Sequence, residues 1–487
     1  MSEAIDVETL VIGAGAAGLG AALELEGGGR EVLVVDAFAH PGGVMATDEI
    51  RGYRVERGPN TFQLKPALRA FLRHRSLEQE LAAASPEGRK RFILHSGCLA
   101  PVPMDPVALA RSGLLSVAGK LRLLAEPFIA RGDATGESVS QFVGRRLGSE
   151  VATALVGPFL TGVYAGDERR LGVEAVFPSL VELEREHGGI ARGLAARGLA
   201  ALGRRLRGGA APLDSSDSPG SGGEGSQAAT GSWSAPDGMG QFARALASQL
   251  RQPPCQGERV EELSQDGAGW RAQLKSGTAE RAIRCQSVVV ATSAASASAV
   301  LKGVDAELAA MLDAIEYAPI VAIGLGVDPG EVRQPLKGFG FLVPREERLG
   351  LLGCLFMSRM FPGRAPAGRE LLHCMLGGVR WPEAVSLSDE DLYTRLEGEL
   401  DKTLGLAASP ERLVVHRWPQ AVPQPSPDHP RRIAALRQRT RALGPAGSGP
   451  SLELAGSYLD GVSVSDALMS GVTAARTILA TVSTQSG

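Results

Sequence analysis

Apolar residues along the chain fall into three patterns. Short unbroken runs, Thr9 to Ile12 and Gln286 to Ala294, have the length and β-branched content of strands buried on both faces of a parallel sheet. Alternating segments predict a β-ribbon over Gly52 to Glu56 and a hairpin over Lys90 to Pro103. Glu258 to Leu263, Trp270 to Leu274 and Ala282 to Cys285 predict a small antiparallel sheet with a turn at Gly267. Apolar positions at three- and four-residue steps predict helices over Arg69 to Leu81 and through most of Pro106 to Pro158. In the latter, Leu114, Val117, Ala118, Leu121, Leu124 and Phe128 share a stripe, with Arg111, Lys120, Arg122 and Arg131 nearby. Tyr317 to Asp328 and Gly338 to Glu347 read as strands of a second α/β region spanning roughly 301–440. Ser451 to Ala480 reads as a strand, a glycine turn and a closing helix. Arg204 to Gly238 breaks every pattern; its Gly, Ser and Pro content predicts a mobile loop.

The length of 487 residues allows about two or three domains. A net charge of −3 carries no basic footprint for nucleic acid. Cys98, Cys255, Cys285, Cys354 and Cys374 are odd in number and scattered, which argues for a reducing compartment and against a disulfide framework or a metal site. The first glycine loop begins within a dozen residues of Met1, leaving no room for a cleavable signal, and no apolar run reaches the ~18 residues of a membrane span. The expected location is cytoplasmic, or peripheral on the inner face of the cell membrane if the basic amphipathic stripe lies in a lipid interface.

Chemistry concentrates first in Val7 to Asp36. Gly13, Gly15 and Gly18 form G-x-G-x-x-G between a strand and an Ala-rich helix that opens with Ala16 and Ala17. Gly13 permits the tight turn, Gly15 admits a pyrophosphate to the backbone, and Gly18 lets the helix pack closely on the sheet. The helix N-terminus stabilises phosphate charge, and Asp36 is placed to accept from a ribose hydroxyl. Gly42 and Gly43 make a second backbone-permissive loop. No Ser/His/Asp, Cys/His or metal-ligand constellation accompanies these loops, so the chemistry is expected to reside in a cofactor.

The order of glycine fingerprint, acid, GG loop and GY-x-x-E-x-GP-N resembles the flavin-dependent amine oxidase and protoporphyrinogen oxidase superfamily. Within it, Glu137 to Gly188 resembles protoporphyrinogen oxidases, with ES-x-x-x-F-x-x-x-R-x-G, P-F-x-x-G-V-Y-A-G-D and F-P-x-L-x-x-x-E. The closing run G-x-Y-x-x-G-V-x-V-x-D does so as well. The resemblance implies an α/β fold: a discontinuous Rossmann-like FAD-binding domain (1–66, 239–300, 445–487) and an α+β substrate-binding domain (67–105, 301–444). A helical, membrane-facing subdomain (106–203) and a flexible loop (204–238) complete it.

It further implies non-covalent FAD contacted by the residues of the two glycine loops named above and by Ala37, Gly58, Pro59, Asn60, Val260, Ala291, Trp418, Gly456, Gly461, Val462, Val464 and Ser465. Arg91 would pair with a tetrapyrrole propionate, and Gly162, Gly166, Leu342 and Phe361 would wall the pocket. The implied activity is oxidation of protoporphyrinogen IX to protoporphyrin IX, with molecular oxygen as acceptor; a homodimer stays open. Coproporphyrinogen III oxidation, amine oxidation and a non-catalytic flavoprotein are the alternatives. Departures from the family pattern are His40–Pro41 before the GG loop, Pro425 for Tyr and Asp428 for Gly.

Overall fold

The computed structural model describes residues 5–103, 105–206, 231–267, 269–443 and 451–483. Two seven-stranded sheets organise them. In the first, Ile5–Ile12 lies parallel between Val32–Asp36 and Ala279–Val290, and Cys255–Gln256 extends the Val32–Asp36 edge. Ala279–Val290 is one continuous strand, where the pattern suggested an antiparallel strand followed by a separate parallel one. Its outer edge is shared: Ala279 to Cys285 pair antiparallel with Gly269–Ser276, and Ser287 to Val290 pair parallel with Ser451–Leu454. It stops at Val290 because Ser293 caps the helix Ala294–Leu301, accepting from the Ser296 N–H. This is the α/β architecture the sequence implied.

The helices Ala16–Gly27 and Val464–Ser483 cover one face of this sheet and touch backbone to backbone. A Cβ on Gly20 would lie 2.5 Å from the Leu468 carbonyl oxygen, and one on Gly471 would lie 1.8 Å from that of Ala17. Both helices begin just beyond the carboxyl ends of parallel strands, the place where open α/β sheets bind ligands.

The second sheet has the order Glu411–Pro423, Tyr317–Val327, Glu370–Gly377, Leu351–Phe356, Gly340–Leu342, Arg91–His95, Cys98–Pro101. One face packs on the helix Asp389–Leu404 through Val321, Ile323, Phe341, Cys354, Cys374 and Leu376. On the opposite face His373 is 1% exposed, and neither ring nitrogen has a hydrogen-bond partner among the described residues. Burial, helped by the charge of His416, pushes its pKa down from 6.5 to about 4. A depressed histidine favours the fold above the unfolded-state pKa and loses that support as pH falls toward the folded one. Stability should therefore drop by up to roughly 3 kcal/mol as pH falls from 6.5 to about 4. Urea unfolding across that window should show the slope in the wild type and a shallower one in His373→Leu.

Three expectations are corrected. The helix expected over Arg69 to Leu81 is Pro66–His74: Pro66 suits the first turn, and Ser76 at φ +54° lets the Leu77 N–H close on the Leu72 carbonyl. The helical stretch 106–158 is broken into Pro106–Arg111, Val117–Leu124, Val139–Arg146 and a run from Ser149 to Tyr164 that passes through a π-helical turn at Ala152–Val156. Ser112 leaves helical geometry, and Ser138 with Gln141 restarts it through a capping box. The loop expected over 204–238 is shorter, because the helix Ile190–Leu206 enters it and Ser232–Ser234 forms a strand between Phe62–Gln63 and Ala82–Ala83. Its remaining part, 207–230, lies outside the described residues, as do 445–450 of the expected cofactor domain.

Candidate functional site

The two glycine loops meet. Gly13 takes φ +105°, and a Cβ there would lie 2.8 Å from the Ala291 carbonyl oxygen. Ala291 itself donates its N–H to the Ile12 carbonyl. A Cβ on Gly18 would lie 1.7 Å from the Gly13 carbonyl oxygen, so the helix sits directly on the loop. Gly15 has nothing within 4 Å of its Cβ position, which leaves open space at the helix N-terminus beside Ala16 and Ala17. The Gly42 N–H donates to the Ala14 carbonyl at 2.8 Å, and Gly15 and Gly42 pair as a parallel bridge, with Gly43 beside Gly15.

Asp36 closes the second strand, with Ala37 following. Its carboxylate accepts from the Ala14 N–H at 2.5 Å and the Phe38 N–H at 2.7 Å. Burial raises its pKa, and these N–H groups and His40 pull it back. Each oxygen keeps lone-pair capacity for a further donor. His40 accepts at Nε2 from Arg57, 3.3 Å away, because a guanidinium can only donate. The cation at this loop is therefore Arg57, which pairs with Asp48 at 2.6 Å, and Asp48 in turn meets His416 at 2.9 Å. Sequence reading passed over Arg57, although its place directly before Gly58 was a usable signal.

Arg57 leads into Gly58, Pro59 and Asn60. Trp418 donates its indole N–H to the Arg57 carbonyl at 2.6 Å, tying this turn to the second sheet. Asn60 is 8% exposed and its Oδ1 has no partner among the described residues. On the far side, the turn after Ser451–Leu454 carries Gly456, Gly461 and Val462, then the helix opening with Val464 and Ser465. Ser463 caps that helix through the Asp466 N–H, and Asp466 pairs with Lys65 at 2.7 Å. Val260 lies buried at the start of the edge strand Arg259–Asp266. Open space at a helix N-terminus, an unpaired buried amide oxygen and a second helix N-terminus at the same end of the sheet fit a dinucleotide with a ring system at its far end.

A second surface borders these loops. Cross-strand pairing aligns Ile93, Leu342, Gly353, Met375, Ala322 and His416 on the sheet face away from the Asp389–Leu404 helix. Leu342 packs against Gly162 of the Gly157–Tyr164 helix, where a Cβ would lie 2.5 Å from its methyl carbon. Arg91, two residues before Ile93, shares this face, stacks its guanidinium 5.1 Å from the centre of the Phe339 ring, and has no ion-pair partner among the described residues. Desolvation lowers its pKa. The structure thus sets Leu342 against Gly162, places Arg91 on the neighbouring strand opposite Gly340, and adds Met375 to the same face, which strand register alone reveals.

Two expected pocket residues are corrected. Phe361 is 2% exposed and packs with Tyr53, Val55 and Met357 beneath Arg364, so no ring face remains for stacking. Gly166 is buried against Gln424, whose side-chain amide donates to the Tyr164 carbonyl, and against Leu171. The backbone carbonyl of Pro425 accepts from the Gly172 N–H at 2.8 Å.

Paired glycine loops at the carboxyl ends of a parallel sheet, abutting an apolar sheet face, define an FAD-dependent oxidoreductase. The chain belongs to the flavin-containing amine oxidoreductase family, whose pattern matches residues 16–479. It is similar to the chloroplastic protoporphyrinogen oxidase of Oryza sativa subsp. japonica, with 31% identity over 94% of this chain and 86% of that one. It is also similar to the coproporphyrinogen III oxidase of Bacillus subtilis (strain 168), with 27% identity over 95% and 96%. Among solved structures, a putative protoporphyrinogen oxidase from Exiguobacterium superposes with a TM-score of 0.77 at 21% identity, covering 99% of each chain. The chain's own cofactor is FAD, and the chain is a flavin-dependent oxidoreductase.

Proposed function

We propose that the chain oxidises protoporphyrinogen IX to protoporphyrin IX with molecular oxygen as terminal acceptor. The observation that carries this reading is the unpaired Arg91 guanidinium at the end of an apolar sheet face that runs to the cofactor loops. A flat hydrophobic ring bearing propionate arms is complementary to that arrangement. Bound FAD supplies hydride acceptance. The residues around it position: Gly13, Gly15, Gly18, Asp36 and the Val464–Ser465 helix end hold the cofactor, and Leu342, Met375 and Gly162 hold the ring and exclude water. Protons leave from pyrrole N–H groups as the macrocycle becomes aromatic, so no side chain need act as base. The strand Tyr317–Val327 carries no lysine, which weighs against an amine substrate. The coproporphyrinogen III oxidase relative keeps the tetracarboxylate as a second substrate to be tried.

Arg91→Ala should raise KM about tenfold while kcat falls by less than about threefold, because propionate binding is nearly equal in ground and transition states. Steady-state rates with protoporphyrinogen check this, and an unchanged KM removes Arg91 from the substrate site.

We also propose peripheral contact with an anionic lipid surface. Val117, Leu121, Leu124 and Phe128 form an exposed stripe, with Phe128 85% exposed, and exposed Arg111 and Arg131 lie close in sequence. Leu114, expected on the stripe, is buried. The segment is held from beneath by the buried Arg146–Glu126 pair, whose carboxylate also accepts from the Ile190 and Ala191 N–H groups. Among the described residues no helix is long and apolar enough to cross a membrane. The wild type should sediment with phosphatidylglycerol vesicles and Leu121→Glu/Phe128→Glu should stay in solution with its flavin; equal sedimentation refutes the contact.

A further inference from the structure

Arg380 is a second guanidinium that forms no ion pair among the described residues. It donates from Nη1 to the Val343 carbonyl at 2.9 Å and from Nη2 to the Thr161 hydroxyl. Its surroundings are half-buried, and desolvation pushes its pKa down. Three acids lie within charge reach, Glu168 first, then Glu346 and Asp167; Glu168 faces Arg169 at 3.8 Å and Asp167 is paired with Arg345 at 2.8 Å. The pKa still lies below its ordinary value, so these acids do not offset the loss of water and the charge of Arg345, and an anion that arrives with a ligand would supply the direct partner Arg380 lacks.

Its position relative to Arg91 is set by one short strand. Arg91 pairs with Gly340, and the carbonyl that receives Arg380 belongs to Val343, three residues further along the same chain segment. At about 3.3 Å per residue the two anchor points lie roughly 10 Å apart. Between them is Leu342, facing Gly162, and Thr161 precedes Gly162 on the same helix. Arg380 therefore sits where the Gly157–Tyr164 helix meets the sheet, beyond one end of Leu342, and Arg91 lies on the neighbouring strand beyond its other end.

We infer that Arg380 is a second carboxylate anchor, so that the substrate is a flat apolar ring with acid arms at two points, one on Arg91 and the other on Arg380. The inference rests on the tetrapyrrole reading given above. After its bonds to Val343 and Thr161, Arg380 keeps three N–H groups, enough for one carboxylate. Two propionates on neighbouring pyrrole rings match the separation in scale.

The competing role is a clamp that only ties the helix to the strand. Titrating the FAD-loaded protein with protoporphyrin IX and with its dimethyl ester separates the two, because an ester has the same ring and no charge to pair. The wild type should bind the acid more tightly by about tenfold or more. Arg380→Met should cut that preference by about tenfold, Arg380→Lys should keep part of it, and Arg91→Met/Arg380→Met should bind acid and ester alike. Thr161→Val, which removes the clamp's hydroxyl and leaves the guanidinium, should keep the wild-type preference. An acid-to-ester ratio unchanged in both Arg380→Met and Arg380→Lys overturns the anchor and leaves the clamp. If the flavin-loaded wild type binds neither compound, it is the tetrapyrrole reading itself that falls, and the anchor with it.

Discussion

Gly18→Ala should yield a chain that retains no FAD and unfolds at a markedly lower temperature, whereas Gly15→Ala should lose FAD affinity from an apoprotein as stable as the wild type's. The two glycines differ in what a methyl group meets. At Gly18 it would lie 1.7 Å from the Gly13 carbonyl oxygen, a backbone atom that cannot swing aside, so the first helix must lift from the sheet. Overpacking of that kind costs on the order of 3 kcal/mol. At Gly15 nothing lies within 4 Å, so the fold is indifferent and the methyl occupies the space a pyrophosphate needs. Thermal melts of both apoproteins, with flavin fluorescence titrations, check this. Equal loss of apoprotein stability in both variants would mean that the loop is only structural.

The other large effect is expected at the buried pair of Glu56 and Arg364, both fully buried and 2.7 Å apart. Glu56 also accepts from the Thr47 hydroxyl and the Met239 N–H, and Arg364 donates to Ser234 and the Ala235 carbonyl. The pair thus fastens the ribbon strand Tyr53–Glu56 to the start of the helix Met239–Ser248 and to the loop beyond Phe361. Arg364→Met leaves the carboxylate buried without its cation and should cost about 3–5 kcal/mol, while Arg364→Met/Glu56→Leu should recover much of it. Denaturant unfolding of the two variants and the wild type measures both. A single variant within about 0.5 kcal/mol of the wild type contradicts the assignment.

What could be read in the sequence, and what could not, follows from how far apart the cooperating residues lie. Gly13, Gly15, Gly18 and Asp36 act within one strand, turn and helix, so their spacing carried the cofactor loop, and the strand, turn and helix at Ser451 to Ala480 were legible for the same reason. The apolar substrate face was not, since Ile93, Leu342, Gly353, Met375 and Ala322 become neighbours only through the register of five strands. Phe361 and Gly166 resemble pocket residues in sequence because a buried ring or a close-packed glycine reads the same whether its neighbour is a ligand or a side chain. Trp233 was the overlooked sign that the Gly/Ser-rich stretch contains a strand: its indole packs on the core around Phe62 and Phe242.

Anaerobic mixing of the FAD-loaded protein with protoporphyrinogen IX, coproporphyrinogen III and a primary amine in turn tests the central claim most directly. The account predicts that a porphyrinogen bleaches the flavin absorbance and that the amine leaves it unchanged. Bleaching by the amine, with neither porphyrinogen reducing the flavin, would contradict it.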